Sequence, residues 1–495
     1  MVLLKVDKTH GKPVFQQIID QVVELIDEKS LKEGESLPST RSLATTLGLD
    51  RSTVYRAYLE LTALGYLESC PGSYTRVRKR TRIVTGKTPP GRGIIDWAAC
   101  SNSESNQLYD FFLKFHPERT ARMPQDLINL SPLDLDHRIF PVDDFRRSLN
   151  QVLVNQGPKI LRYGSYQGDE NLREDIARRL QIHGISISPA EVLITNGAQN
   201  AIELVLKLLG KPGEYVAIES PTYANVIPLI RHHGMNLLEV PVTEKGMDLD
   251  KLEQYIAQKL PVMVYTIPNF QNPTGITTSQ KHRERLLTIC EKNRIPLVED
   301  GFEEEMKYFG KAVLPIKSMD RKKIVVYLGT FSKVLFPGIR LGWIAAEKEC
   351  IERLTSIKRF VDLSGSSVIQ SAVSAFIRRG YYDQHLKRMH RIFRKRMTLI
   401  LAALRSYLPP QVTWTKPDGG YTLWVSLPWA CENEKEFVNT LIKYGVMVSP
   451  GLYYFFSSRS HRYFRISISS LNEDEITEGV KRLGEALHFM RQQRM

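Results

Sequence analysis

Five short apolar runs between residues 190 and 345 most limit what this chain can fold into: EVLI, EYVAIE, PVMVYTI, IPLVED and KIVVYLGT. Helical patterns such as QNAIELVLKLL alternate with them. Strand-length runs separated by helix-length segments predict an α/β domain with a mostly parallel sheet and helices on both faces. In such folds, ligand groups gather beyond the carboxyl ends of the strands. Polar clusters stand there: TNGAQ after the first run, SPTY after the second, NFQNPTG after the third, Asp300 ending the fourth and TFSK after the fifth. Taken singly, each is an ordinary loop feature. Their order in one chain carries the information.

The chain has 495 residues, room for two or three domains, and 42% hydrophobic with 25% charged residues is ordinary globular composition. Its five cysteines, Cys70, Cys100, Cys290, Cys350 and Cys431, are scattered and never spaced as CxxC, so neither a disulfide framework nor a metal site is expected. The opening MVLLKVDKTHGK lacks the apolar core of a signal peptide, and no run approaches the ~18 apolar residues of a membrane span. A cytoplasmic protein without membrane contact is expected. The net charge of +14 suits a polyanionic partner. Residues 1–82 carry only 13 Lys and Arg against 10 Asp and Glu, so the local cluster Arg76, Arg78, Lys79, Arg80 and Arg82 says more than the total.

The first eighty residues have a different texture. Val14, Ile18, Val22, Leu25 and Ile26 recur at helical spacing after Pro13. LPSTRSLATTLGLDRSTVYRAYLELTALGY then reads as two helices, with Ser39 capping the first, Gly48 ending it and Asp50 placed to cap the second. On that second helix Val54, Ala57, Tyr58, Leu61 and Leu64 fall on one face, and Arg51, Ser52, Tyr55 and Arg56 on the other. Arginines and hydroxyls on a free helix face suit contact with guanine edges and phosphates in a major groove. After Gly65, YLES and YTRV flank CPGS as a hairpin wing. The stretch resembles the GntR-type winged helix-turn-helix, which implies double-stranded operator DNA as partner and Ser39, Arg41, Arg51, Ser52, Thr53, Arg56 and Gly72 as contacts.

Periodicity fades from about Lys79 to Arg122, where TGKTPPGRG marks a boundary. The domains expected are thus a head over 1–78, a linker over 79–122 and a body over 123–495. The body divides into a large part near 160–345 and a small part near 350–495 plus an N-terminal arm. Within the linker NQLYDFFLKFHPERT is apolar enough to dock on something; as a flexible coil the linker would span roughly 35 Å, enough for a head to reach a neighbouring subunit.

The ordered clusters of the body resemble the fold-type I, aspartate-aminotransferase-like family of pyridoxal-phosphate enzymes. A lysine amine can form a Schiff base with an aldehyde cofactor, which also needs an acid partner for its pyridine nitrogen. By resemblance Lys333 is that lysine and Asp300 that acid. Gly197, Ala198 and Gln199 would offer backbone N–H groups to the phosphate, and Thr330, Ser332 and Arg340 hydroxyls and a positive charge. Tyr223 would stack on the cofactor ring and Asn272 meet the ring oxygen. Tyr163 matches a tyrosine that reaches the phosphate of the other subunit, which implies a homodimer. Arg465 matches the arginine that clamps a substrate carboxylate. One position departs from the pattern: Phe302 stands where the family carries a tyrosine that donates to the ring oxygen, which leaves transamination open.

Head and body together resemble the MocR/GabR family of regulators. That resemblance implies a pyridoxal-phosphate-dependent transcription factor in which an amino-compound effector forms an aldimine with the cofactor and alters operator binding. The rival reading is a working aminotransferase with an accessory DNA-binding head. A blander one, a dimerisation scaffold without cofactor, leaves Lys333 and Asp300 without a purpose.

Overall fold

The structure, a computed structural model, describes residues 4–9, 11–69, 74–79, 95–115, 124–429, 434–457 and 462–493. Two compact units divide the chain, Met1–Asp96 and Trp97–Met495.

In the first unit, α1 (Val14–Asp27), α2 (Thr40–Leu47) and α3 (Arg51–Ala63) precede a hairpin of β1 (Leu67–Ser69) and β2 (Thr75–Val77). The Ser39 hydroxyl accepts from the N–H of Ser42, and Gly48 ends α2 in the left-handed region at φ 60°. Asp50 precedes α3 but makes no side-chain cap, unlike the expectation. Ile18, Val22, Val54, Ala57 and Leu61 are wholly buried together, and each Ile, Val or Leu so buried contributes roughly 1.5–3 kcal/mol. Leu64, expected on the buried face, lies past the last turn of α3 and is 54% exposed. The Tyr58 hydroxyl donates to the carbonyl of Pro38, tying α3 to the entry of α2. Ahead of α1, Gln21 exchanges two hydrogen bonds with the main chain of Lys5, at 2.9 and 2.7 Å. Gln17 does the same with Asp7, at 3.0 and 2.9 Å. These two side chains hold an extended segment against the helix.

The second unit is built on an eight-stranded sheet. Its strands are β4 (Val192–Thr195), β5 (Tyr215–Ser220), β6 (Asn236–Thr243), β7 (Gly246–Met247), β8 (Met263–Thr266), β9 (Leu297–Asp300), β10 (Val325–Thr330) and β11 (Gly342–Ala345), in the order β4-β11-β10-β9-β8-β5-β6-β7. β10, β9, β8, β5 and β6 run parallel; β11 is antiparallel to both its neighbours, and β7 to β6. All five apolar runs form strands. Val216, Val264, Leu297 and Leu328 are buried because helices cover both faces, which is why these runs read as continuous rather than alternating. A second sheet, β12-β13-β16-β15, comprises β12 (Thr413–Trp414), β13 (Thr422–Ser426), β15 (Ser449–Pro450) and β16 (Tyr463–Ser467). Beside it β3 (Ile128–Asn129) pairs in parallel with β14 (Val446–Met447).

The segment that reads as a coil linker contains regular structure. Trp97–Cys100 and Ser103–Phe115 are helical, and the longer helix packs on the helix Val226–His232, with Phe111 against the apolar core there. The apolar content of NQLYDFFLKF supplies that face.

Candidate functional site

The carboxyl ends of β4, β5, β8, β9 and β10 open on one cavity of about 350 Å³, lined among others by Asp300, Lys333, Asn272, Arg340 and Arg465. At its floor Asp300 ends β9, in register with Leu328 of β10 and only 3% exposed. Its Oδ2 accepts from the Tyr265 hydroxyl at 2.6 Å, and its Oδ1 is buried without a hydrogen-bond partner among the described residues. Burial pushes the carboxyl up to about 6, while the Tyr265 hydrogen bond and the main-chain N–H of Phe302 pull the other way. A buried carboxylate with one vacant oxygen is suited to a cationic N–H partner.

Lys333 follows β10. Its Nζ donates to the carbonyl of Leu133 at 2.8 Å, and its own carbonyl accepts from the Tyr421 hydroxyl at 2.5 Å. Burial lowers its affinity for the proton, an effect opposed by Asp134 and Glu303. A lysine so placed is nearer the neutral, nucleophilic amine than a surface lysine.

At one end of the cavity the helix Ala198–Leu209 begins after Gly197, which sits at φ 87° and supplies no side-chain cap. A Cβ at Gly197 would come within 3.0 Å of the Arg340 guanidinium, so glycine permits both the backbone turn and the arginine above it. Arg340 also donates to the carbonyl of Asn196 at 3.1 Å. The Ser332 hydroxyl is buried without a partner among the described residues. An uncapped helix start, a guanidinium and a vacant hydroxyl together form a cradle for an anion such as a phosphate. Thr330 lines the cavity, but its hydroxyl already donates to Leu341 O and accepts from Ser332 N.

Arg465, on β16, lines the same cavity as Lys333. Its Nη1 donates to Asn272 Oδ1 at 3.0 Å, its Nη2 to the carbonyl of Ser131 at 2.6 Å, and its Nε is buried without a partner among the described residues. The guanidinium sits 5.3 Å from the Tyr454 ring centroid. Tyr223 is oriented by two neighbours, donating to Gln199 Oε1 at 3.1 Å and accepting from Asn225 Nδ2 at 3.0 Å.

The structure therefore gathers Ala198, Gln199, Tyr223, Asn272, Asp300, Thr330, Ser332, Lys333, Arg340 and Arg465 around one cavity, with Gly197 beside it. Phe302 lines the same cavity and brings no hydroxyl. Tyr163 is outside it, 86% exposed on the surface of its own chain. Tyr265, Asp134, Asn225 and Tyr454 are additions that sequence reading misses. Only Tyr265 carries a signal, as a polar-tipped residue near the end of an otherwise apolar run.

On the first unit, Arg41, Arg51 and Ser52 are exposed, Thr53 is half-buried, and the Ser39 hydroxyl caps α2. Arg56 is engaged within the unit: its guanidinium lies 3.9 Å from the Phe15 ring centroid and its Nε donates to Glu60 at 3.3 Å. Gly72, with most of the expected wing tip, lies outside the described residues.

Two families match the chain: bacterial regulatory proteins of the gntR family over residues 15–77, and aminotransferase class I and II over residues 125–483. The chain is 30% identical over 473 residues to an uncharacterized HTH-type transcriptional regulator, YisV, of Bacillus subtilis strain 168, covering 96% of both proteins. It is 34% identical over 354 residues to aromatic-amino-acid aminotransferase 1 of Thermococcus litoralis, covering 70% of this chain and 85% of that protein. Among solved structures, α-aminoadipate aminotransferase LysN from Thermus thermophilus, complexed with N-(5'-phosphopyridoxyl)-L-leucine, superposes with a TM-score of 0.73 at 28% identity. The match covers 81% of this chain and all of that one, 100%.

Proposed function

The chain belongs to the aminotransferase class I and II family and carries a gntR-family head, the build of MocR and other HTH-type regulators, and from that premise we propose that its body senses an amino compound and alters the head's hold on an operator. Pyridoxal phosphate is the cofactor of the body. The residues present fit it: a buried carboxylate with a vacant oxygen, an amine beside it and an anion cradle at a helix start are its three demands. When bound, it supplies an electrophilic carbon conjugated to a pyridine electron sink.

The chain's own residues do the rest. Asp300 holds a proton on the ring nitrogen, with Tyr265 fixing the carboxylate's other oxygen. Gly197, Ala198 and Gln199 at the helix start, with Ser332 and Arg340, hold the phosphate; Lys333 is the tether; Tyr223 and Asn272 flank the ring. Arg465 takes the effector's carboxylate and excludes water from that wall. Tyr163, exposed on its own chain, reaches the site of a second copy, so the working form is a homodimer. Arg51, Ser52, Thr53 and Arg41 contact DNA, which places the protein in the cytoplasm.

The vacant Asp300 Oδ1 on the cavity floor carries this reading, since its burial has no structural return without a cationic partner. The test is a titration of amino compounds into operator-bound, pyridoxal-phosphate-loaded protein, following visible absorption and the DNA complex together. A single spectral change that tracks DNA affinity supports a sensor. Repeated turnover with a keto acid, leaving DNA affinity unmoved, would instead mark a working aminotransferase.

A further inference from the structure

Leu133 and Asp134 line the cavity, and the order of the segment 131–134 along the chain orders the chemistry. Ser131 gives its carbonyl to Arg465 and Leu133 gives its carbonyl to Lys333. Two residues of backbone span at most about 7 Å, so the carboxylate-binding guanidinium and the reactive amine lie along one short stretch. Asp134 comes next, lining the cavity at its exposed edge. Unlike Asp300, committed to Tyr265 and to a cationic partner on the floor, Asp134 has no hydrogen bond or ion pair among the described residues. These two are the acids among the lining residues.

The cavity's charges are otherwise spoken for. Arg340 stands over the helix start, Arg465 faces the effector's carboxylate and Lys333 is the tether. Glu303 is buried without a hydrogen-bond partner among the described residues and does not line the cavity; burial raises its carboxyl toward the neutral form. Asp134 is also the first charge that opposes the loss of the Lys333 proton, so its field reaches the amine. An α-amino acid with its carboxylate on Arg465 and its amine toward Lys333 would bring its side chain into a cavity whose remaining acid, Asp134, has no hydrogen-bonded partner among the described residues. A cationic side-chain end gains there, a neutral one gains nothing, and an anionic one is repelled.

We propose that Asp134 is a specificity-determining residue that selects effectors bearing a second cationic group, a diamino acid rather than a neutral or acidic amino acid. This rests on the sensing reading given above. The experiment uses the full-length, pyridoxal-phosphate-loaded protein with L-ornithine and L-lysine, their neutral isosteres L-norleucine and L-2-aminoheptanoate, and L-glutamate. Half-saturating concentrations are read from visible absorption and, independently, from the shift in melting temperature. Wild type should respond to at least one diamino acid at ~10-fold lower concentration than to its isostere, and to glutamate worst. Asp134→Asn should bring each diamino acid and its isostere within ~3-fold, and Asp134→Lys should move the preference to glutamate. Because the side chain is exposed, neither change disturbs the core. Equal response of wild type to charged and neutral compounds, or a preference that survives in Asp134→Asn, overturns this inference and leaves the sensor standing. No response to any amino compound overturns both.

Discussion

The two units solve the problem of presenting chemistry in opposite ways. The head shows Arg51 and Ser52 on the open face of one helix, so neighbours in sequence are neighbours in function. The body brings Ser131, Asn272, Asp300, Lys333 and Arg465 together from positions hundreds of residues apart, and it buries most of them. A groove-reading face must meet a partner much larger than itself, so it stays accessible and each contact adds separately. A site for a small cofactor gains from low dielectric and fixed partners, so its members depend on one another. Substitutions should therefore act all-or-none in the body and by increments in the head.

The largest effect is expected at Lys333. Lys333→Ala should abolish borohydride trapping of the cofactor on the peptide containing residue 333, while basal operator binding stays at wild-type level. Trapping on another lysine would break the assignment.

Next comes Asp300→Asn, which should weaken cofactor binding by about 2–4 kcal/mol, read by equilibrium dialysis, because a buried charge pair loses one partner. The same variant carries a pH signature. The folded carboxyl is raised from 3.8 to about 6, so its contribution to the stability of the cofactor-free body is fully present below about pH 4 and is lost as pH rises through 6. The loss amounts to about 3 kcal/mol. Melting curves of wild type and Asp300→Asn, both without cofactor, should diverge across that window; a difference independent of pH would mean that Asp300 is not a strained acid.

In the head, Arg51→Ala should cost about 1–3 kcal/mol of operator binding if the side chain reads a base edge. A loss equal on all sequences, with a shallower salt slope, would reassign it to phosphate.

Arg56 gives the smallest and sharpest test. Its stacking on Phe15 and its bond to Glu60 make it a clasp between α1 and α3. Arg56→Ala should lower head stability by about 0.5–1 kcal/mol in urea melts. A loss of DNA affinity beyond that would return it to the recognition face and blur the contrast between the units.

The same contrast governs what is legible in advance. The five strands are legible because fully buried strands are short apolar runs, and the polar clusters after them because the carboxyl ends of strands face the ligand side. The anion cradle follows from a glycine opening a helix. Tyr265 escapes because nothing local says that its hydroxyl meets Asp300 across the β8–β9 pair. Asp134 escapes because it lies in a segment without periodicity, and only the fold sets it in the same cavity as Lys333. The angle of Arg56 around its helix sets it on the free face, which holds; that Phe15 of another helix lies under it is a tertiary fact. The docking of NQLYDFFLKF is legible from its apolar content, but that it docks as the helix Ser103–Phe115 is not, because periodicity fades across the surrounding segment.

Gln17 and Gln21 grip Lys5 and Asp7 by main-chain atoms alone. Such a grip specifies a conformation without specifying a sequence. The residue at 5 is thus free to drift as long as it does not become proline, which would remove an N–H that Gln21 accepts, whereas the Asp7 carboxylate also accepts from the main-chain N–H and the hydroxyl of Thr9. Position 5 is accordingly a natural place to graft a fluorescent amino acid, a local gauge of when the head comes apart while the body stays folded.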